Sequence, residues 1–145
     1  MYHLCARIRH PNFCLFNMKI NDTQYIYVET TALFGGIPLL EVKKGERYSF
    51  RVNPLCKWRR NKIDFSADGT IIPYIHRNNR RCSKARYHSL CATINQNELN
   101  PFNVGSWLEN KEMKEDGAVH FFPNKSKEDL TTGKGYVIVE VTRVD

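Results

Sequence analysis

Period-two alternation of apolar and polar residues recurs along this 145-residue chain in runs too short for anything but strands. Residues 13–20, 24–29, 39–42 and 47–52 are rich in aromatic and β-branched side chains, the composition that fits a pleated, half-buried surface. Gly35-Gly36, Lys43-Lys44-Gly45, Asn53-Pro54 and Ala67-Asp68-Gly69 stand between runs and supply the positive or fixed φ that a reversal needs. Further strands are expected at 62–66, 70–75, 87–94, 118–122 and 136–141. One helix is expected at 107–115, because Ser106 and Glu109 form a capping-box pair ahead of good helix formers. The expected architecture is a mainly β fold: a single antiparallel β-sandwich over residues 1–145, of Greek-key or immunoglobulin-like type, carrying that one short helix.

A chain of this length buries roughly 70% of its unfolded surface, so it needs no covalent staple. No stretch is long and apolar enough to span a bilayer, and the first residues lack the apolar core of a signal peptide. The five cysteines (Cys5, Cys14, Cys56, Cys82, Cys91) are odd in number and form no CxxC pair, which suits a reducing compartment. An intracellular location, nucleus or cytoplasm, is therefore expected; an export sequence missing from this chain would reverse it. Asn21-Asp-Thr and Asn124-Lys-Ser have the form of glycosylation sequons, a pattern that also arises by chance.

Charge is unevenly placed. Residues 57–86 hold nine basic and two acidic side chains, which accounts for the whole net charge of +7; the other 115 positions cancel at thirteen of each sign. Like charges packed together repel unless a partner relieves them, which points to a polyanion. The basic residues form two bursts, Lys57, Arg59, Arg60 and Lys62, then Arg77, Arg80, Arg81, Lys84 and Arg86, each expected in a loop or at a strand end. Arginine supplies six of the nine, and its planar fork suits bidentate phosphate contact. Asn78, Asn79 and Ser83 add neutral donors, while Trp58 and Tyr87 are placed to stack on bases or sugars. The leading expectation is a non-catalytic nucleic-acid-binding sandwich, for DNA or RNA, with the two bursts merged into one positive surface. The alternative is an interaction or structural sandwich whose basic loops meet an acidic protein or a sulfated glycan. A plain solubilising surface is the bland reading of the same charges.

Other chemistry is thinly represented. His76, Cys82, His88 and Cys91 form the one metal-like constellation, but on a strand-loop-strand path neighbouring ligands point to opposite faces, so no zinc and no other cofactor is expected. The acids are scattered singly, no cysteine–histidine motif is legible, and neither Gly35-Gly36 nor Gly133-Lys-Gly135 has phosphate-loop spacing. No catalytic residue is assigned, and no enzyme activity is expected.

Two family resemblances run along the strands. Tyr25-Ile-Tyr-Val, Ile37-Pro-Leu-Leu-Glu-Val, Tyr48-Ser-Phe-Arg-Val, Gly69-x-x-x-Pro73, Cys91-x-x-Ile94, Gly105-Ser-Trp107-Leu and Tyr136-Val-Ile-Val-Glu-Val, in that order, resemble a degenerate T-box domain, which implies a DNA-binding Greek-key sandwich. The chain departs from that family at Gly35-Gly36-Ile37-Pro38, where T-box domains carry an arginine pair, so no DNA-contact residue is carried over. Residues 40–52 with Asp68-Gly69-Thr-Ile-Ile are also similar to the copper-free second sandwich of multicopper oxidases. Only His120 lies near the final strands where copper ligands cluster in that superfamily, so the resemblance implies a sandwich without copper.

Overall fold

The computed structural model describes residues 15–60, 62–70 and 80–145. Among the described residues there are eleven strands: β1 (Leu15–Phe16), β2 (Thr23–Glu29), β3 (Gly35–Val42), β4 (Arg47–Val52), β5 (Trp58–Arg60), β6 (Ile63–Phe65), β7 (Leu90–Ile94), β8 (Phe102–Asn103), β9 (Trp107–Glu112), β10 (Gly117–Pro123) and β11 (Gly133–Arg143). A 3-10 segment, Lys127–Thr132, leads into β11. Among the described residues there is no α-helix.

The chain is mainly β and its pairing is antiparallel apart from β1 on β3. Where the sequence leads one to expect two separate sheets, the ladders instead join into one 11-stranded sheet. Two strands make the join. β3 pairs with β10 along its length and meets β2 at Ile37, while β11 pairs with β5 through Gly133–Gly135 and then with β2 and β4 on its two sides. The sheet curls until β4 faces β10 and β8 across the interior. Phe50 of β4 meets Phe121 of β10 edge-on at 5.8 Å between ring centroids, and Phe102 of β8 at 6.5 Å.

Alternation explains which side of each strand closes on that interior. Ile26 and Val28 of β2, Tyr48, Phe50 and Val52 of β4, and Val137, Val139 and Val141 of β11 are all buried. Tyr48 is wholly enclosed but keeps a hydrogen bond from its hydroxyl to Glu46 Oε1 at 3.0 Å. Burial and that carboxylate raise its phenol well above the ordinary tyrosine range.

Residues 107–115 correct the expected helix. Trp107–Glu112 is an edge strand paired with β4, Arg51 opposite Trp107 and Arg47 opposite Glu112. The capping side chain is committed elsewhere: Ser106 gives its amide and its hydroxyl to the Asp68 carboxylate, both at 2.7 Å. These two bonds tie Ser106 to the Asp68 turn, and the residues after it pair with β4 instead of coiling. The edge is irregular, since Asn110 takes φ 55° and its amide turns to Ser49 Oγ at 3.0 Å.

Phe50 is the side chain that both halves of the curl share. Phe50→Ala is expected to lower unfolding stability by about 3–5 kcal/mol, read from urea denaturation; a loss under about 1 kcal/mol would mean that the interior closes without it.

Candidate functional site

In the first basic burst Arg59 and Arg60 lie on a hairpin strand, with Lys57 just before it and Lys62 in the turn after it. β5 lies between β6 and the start of β11, with Arg59 opposite Asp64 on one side and Lys134 on the other. Arg59 holds Asp64 through Nε to Oδ1 at 2.6 Å and a second nitrogen to Oδ2 at 3.3 Å, which keeps that carboxyl below its usual range. Trp58 faces inward. It is fully buried and donates its indole N–H to the carbonyl of His88 at 3.0 Å, so it cannot stack on a ligand. Lys57 and Lys62 are exposed, and Arg60 stands opposite Gly133.

The second burst is largely spent on the protein's own backbone. Arg81 donates to the carbonyls of Leu33 at 2.7 Å, Lys125 at 3.2 Å and Pro123 at 3.5 Å, and its guanidinium lies 4.0 Å from the centre of the Phe122 ring. Burial pulls its pKa down to about 10. Arg80 donates to the Ala85 carbonyl at 3.2 Å. Lys84 and Arg86 are exposed, whereas Tyr87, the other expected stacking ring, is buried. Arg77, Asn78 and Asn79 lie outside the described residues. The segments that carry the two bursts do meet, because the His88 ring stacks on Phe65 of β6 at 4.1 Å and the His88 carbonyl takes the Trp58 N–H, but these contacts are ring stacking and a backbone hydrogen bond and involve none of the cations. Three of the arginines expected on a merged cationic surface, Arg59, Arg80 and Arg81, bond an aspartate or backbone carbonyls.

The loop that carries the second burst is clamped by one amide. Asn124 Oδ1 accepts the Cys82 N–H at 2.8 Å, and Asn124 Nδ2 reaches the carbonyls of Cys82, Ala85 and Arg86 at 2.9, 3.2 and 2.9 Å. The metal-like constellation is dispersed by the same packing. Cys82 and Cys91 share a pocket with Ala85 and Phe122, while the His88 ring lies flat against Phe65; His76 is outside the described residues. Among the described residues no group of three or more His, Cys, Asp or Glu is placed to hold a metal ion.

What the sequence reading passed over is the outer face of the sheet. The side chains of β2, β11, β4 and β9 that alternate away from the core include Tyr25, Glu140, Arg51 and Trp107. The register sets these four directly opposite one another: Tyr25 against Glu140, Glu140 against Arg51, Arg51 against Trp107. Three strand spacings make this row about 14 Å long. Both ends are exposed rings, Tyr25 at 56% and Trp107 at 60%, and the Arg51 guanidinium sits 5.7 Å from the Trp107 ring centre. Ser49, Arg51, Trp107, Glu109, Glu140 and Thr142 line a shallow depression of about 240 Å³. Beside the row, Tyr27 and Tyr136 pack ring to ring at 4.7 Å. The signal was present in residues 24–29, where tyrosines alternate with Ile26 and Val28 and so must face the other way. Trp107 was hidden by the helical reading.

No family model matches the sequence, and no curated protein matches it. Among solved structures, the N-terminal domain of EclA, a PllA-like lectin, is similar in fold, with a TM-score of 0.59 and 18% identity over 83% of this chain and 94% of that one. This likeness overturns the expected kinship with T-box domains and multicopper oxidases, whose quoted pieces are short strand sequences that any half-buried antiparallel strand resembles. The likeness is to a lectin domain and not to a nucleic-acid-binding one, so it also goes against the nucleic-acid-binding, DNA-binding reading that was built on the basic bursts.

The placement of Arg81 yields a test. Arg81→Ala is expected to cost about 2–3 kcal/mol of stability, since hydrogen bonds from a charged group contribute about 1.5–3 kcal/mol, whereas Lys84→Ala should stay within about 0.5 kcal/mol. Equal, small effects of the two in thermal unfolding would return Arg81 to the surface. The chain is similar in fold to a PllA-like lectin domain, and its outer face carries two exposed aromatic rings bracketing a carboxylate and a guanidinium.

Proposed function

We propose that this protein is a non-catalytic carbohydrate-binding module that takes an oligosaccharide along the Tyr25–Glu140–Arg51–Trp107 row. The observation that carries the reading is the row itself. A pyranose presents a face of C–H bonds and a rim of hydroxyls, so it is matched by a flat ring with bidentate polar groups beside it. Trp107 and Tyr25 supply the rings, and Glu140 and Arg51 supply an acceptor pair and a donor fork between them. Trp, Tyr and Arg are also the residues in which binding energy concentrates at interfaces. A row of about 14 Å favours a short chain of sugars over a single ring. The fold likeness to a PllA-like lectin domain supports the same class of ligand.

A second reading has its own observation. Lys57, Lys62, Lys84, Arg86 and Lys134 are exposed, and Lys134 stands on β11 two residues before Tyr136, at one end of the same face. These cations favour a sulfated glycan, which would bind with affinity that falls as salt rises.

A panel of neutral and sulfated oligosaccharides separates the two. On the aromatic-row reading a neutral oligosaccharide binds with little salt dependence, and Trp107→Ala weakens it about 30-fold, near 2 kcal/mol, with the melting temperature unchanged. Binding restricted to sulfated sugars, lost in high salt and in Lys57→Glu and Lys134→Glu, would shift the site to the cations. No binding to any sugar, or wild-type affinity in both Trp107→Ala and Tyr25→Ala, would overturn the row as a glycan site.

A further inference from the structure

β2 and β3 share a single register pair, Tyr27 opposite Ile37, before they part. β2 keeps its ladder with β11 as far as Glu29 opposite Tyr136, while Gly35 of β3 stands opposite Phe121 of β10. Two glycines fix the divergence. Gly36 takes φ 122°, and a Cβ at Gly35 would stand 2.6 Å from that of Ala32. In the split opens a cavity of about 260 Å³, below the roughly 300 Å³ at which sites for drug-sized ligands begin. Tyr27, Glu29, Thr31 and Phe34 line it, with the backbone of Gly35 and Gly36.

The charge in this cavity is of one sign. Glu29 Oε1 accepts the Tyr27 hydroxyl at 3.0 Å and Oε2 accepts the Thr31 hydroxyl at 3.5 Å, so the carboxylate is held in place without being neutralised. None of the ion pairs among the described residues includes it. The rings are braced as well. Tyr27 packs on Tyr136 at 4.7 Å between centroids, and Phe34 stands edge-on to His120 at 6.1 Å and to Phe122 at 6.4 Å. Arg81 and Lys134 stand nearby and neither lines the cavity. The Arg81 guanidinium is 5.7 Å from the Phe34 ring centre but is taken up by three backbone carbonyls, and Lys134 lies on β11 two residues before Tyr136.

We propose that this cavity binds a quaternary ammonium group, with the cation against Tyr27 and Phe34 and beside the Glu29 carboxylate. A cation is drawn to the electron-rich face of an aromatic ring, and grouped rings recognise quaternary ammonium by that attraction. A trimethylammonium head has no N–H to donate. It therefore needs no lone pair from a carboxylate whose two oxygens are already engaged, and uses only its charge and the ring surfaces. A primary ammonium or a sugar hydroxyl, by contrast, needs free acceptors in set directions. The cavity shares no side chain with the Tyr25–Glu140–Arg51–Trp107 row, so its occupant is independent of the glycan.

The test titrates choline chloride into the isotope-labelled full chain in place of sodium chloride, at constant ionic strength. The expected result is a saturable shift of the backbone amides in residues 27–37, with the uncharged analogue that has carbon in place of nitrogen binding about tenfold more weakly. Glu29→Gln, which keeps an acceptor for Tyr27, and Phe34→Leu should each weaken choline about fivefold with the amide spectrum of β4 unchanged. Sedimentation with phosphatidylcholine vesicles tells a lipid headgroup from a soluble choline compound. Pelleting that free choline competes away assigns the first, and choline binding without pelleting assigns the second. An uncharged analogue that binds as well as choline would overturn the proposal, as would shifts centred elsewhere, no shift at all, or wild-type affinity in both variants.

Discussion

β11 is the constraint on which the rest of the structure depends. Its eleven residues pair with β2 along one edge, and along the other with β5 at the beginning and β4 at the end. A strand that serves three partners has its register set three times, and a slip by one residue would turn Val137, Val139 and Val141 out of the core. It would also turn Glu140 in. The same pairing that buries the valines therefore aligns the polar members of the row, and packing and site are two sides of one register.

That double use explains what could be read from the sequence. Residues 24–29, 47–52 and 136–141 alternate cleanly, and all three are strands at or near the expected bounds. β5 and β9 were not legible because each follows its tryptophan with charged or polar residues and shows no sustained alternation; the neighbours they pair with make them strands. The site suffered the same difficulty. Tyr25 and Tyr27 announce an outward aromatic face, but the row needs Arg51 and Trp107, and no sequence pattern says that β4 lies between β11 and β9.

The charge in residues 57–86 was real and its meaning differed. A count of cations does not record where a guanidinium points. Arg81 is a structural member, its fork filled by three carbonyls and its plane laid on Phe122, because an arginine loses less water than a lysine when enclosed and can satisfy several acceptors at once. Arg59 is neutralised across a hairpin by Asp64. In the 80–86 stretch the arginine donors satisfy backbone carbonyls, Arg80 that of Ala85 and Arg81 those of Leu33, Pro123 and Lys125.

Asn124 stands at the head of an Asn-Lys-Ser triplet, and its side chain is wholly enclosed. The nitrogen that an oligosaccharyltransferase would modify is the one that reaches Cys82, Ala85 and Arg86. Attachment of a sugar there and closure of the 82–86 loop are mutually exclusive. In a secretory compartment the fate of this residue would be a race, won by folding if the loop closes before the enzyme arrives and lost for good if it does not.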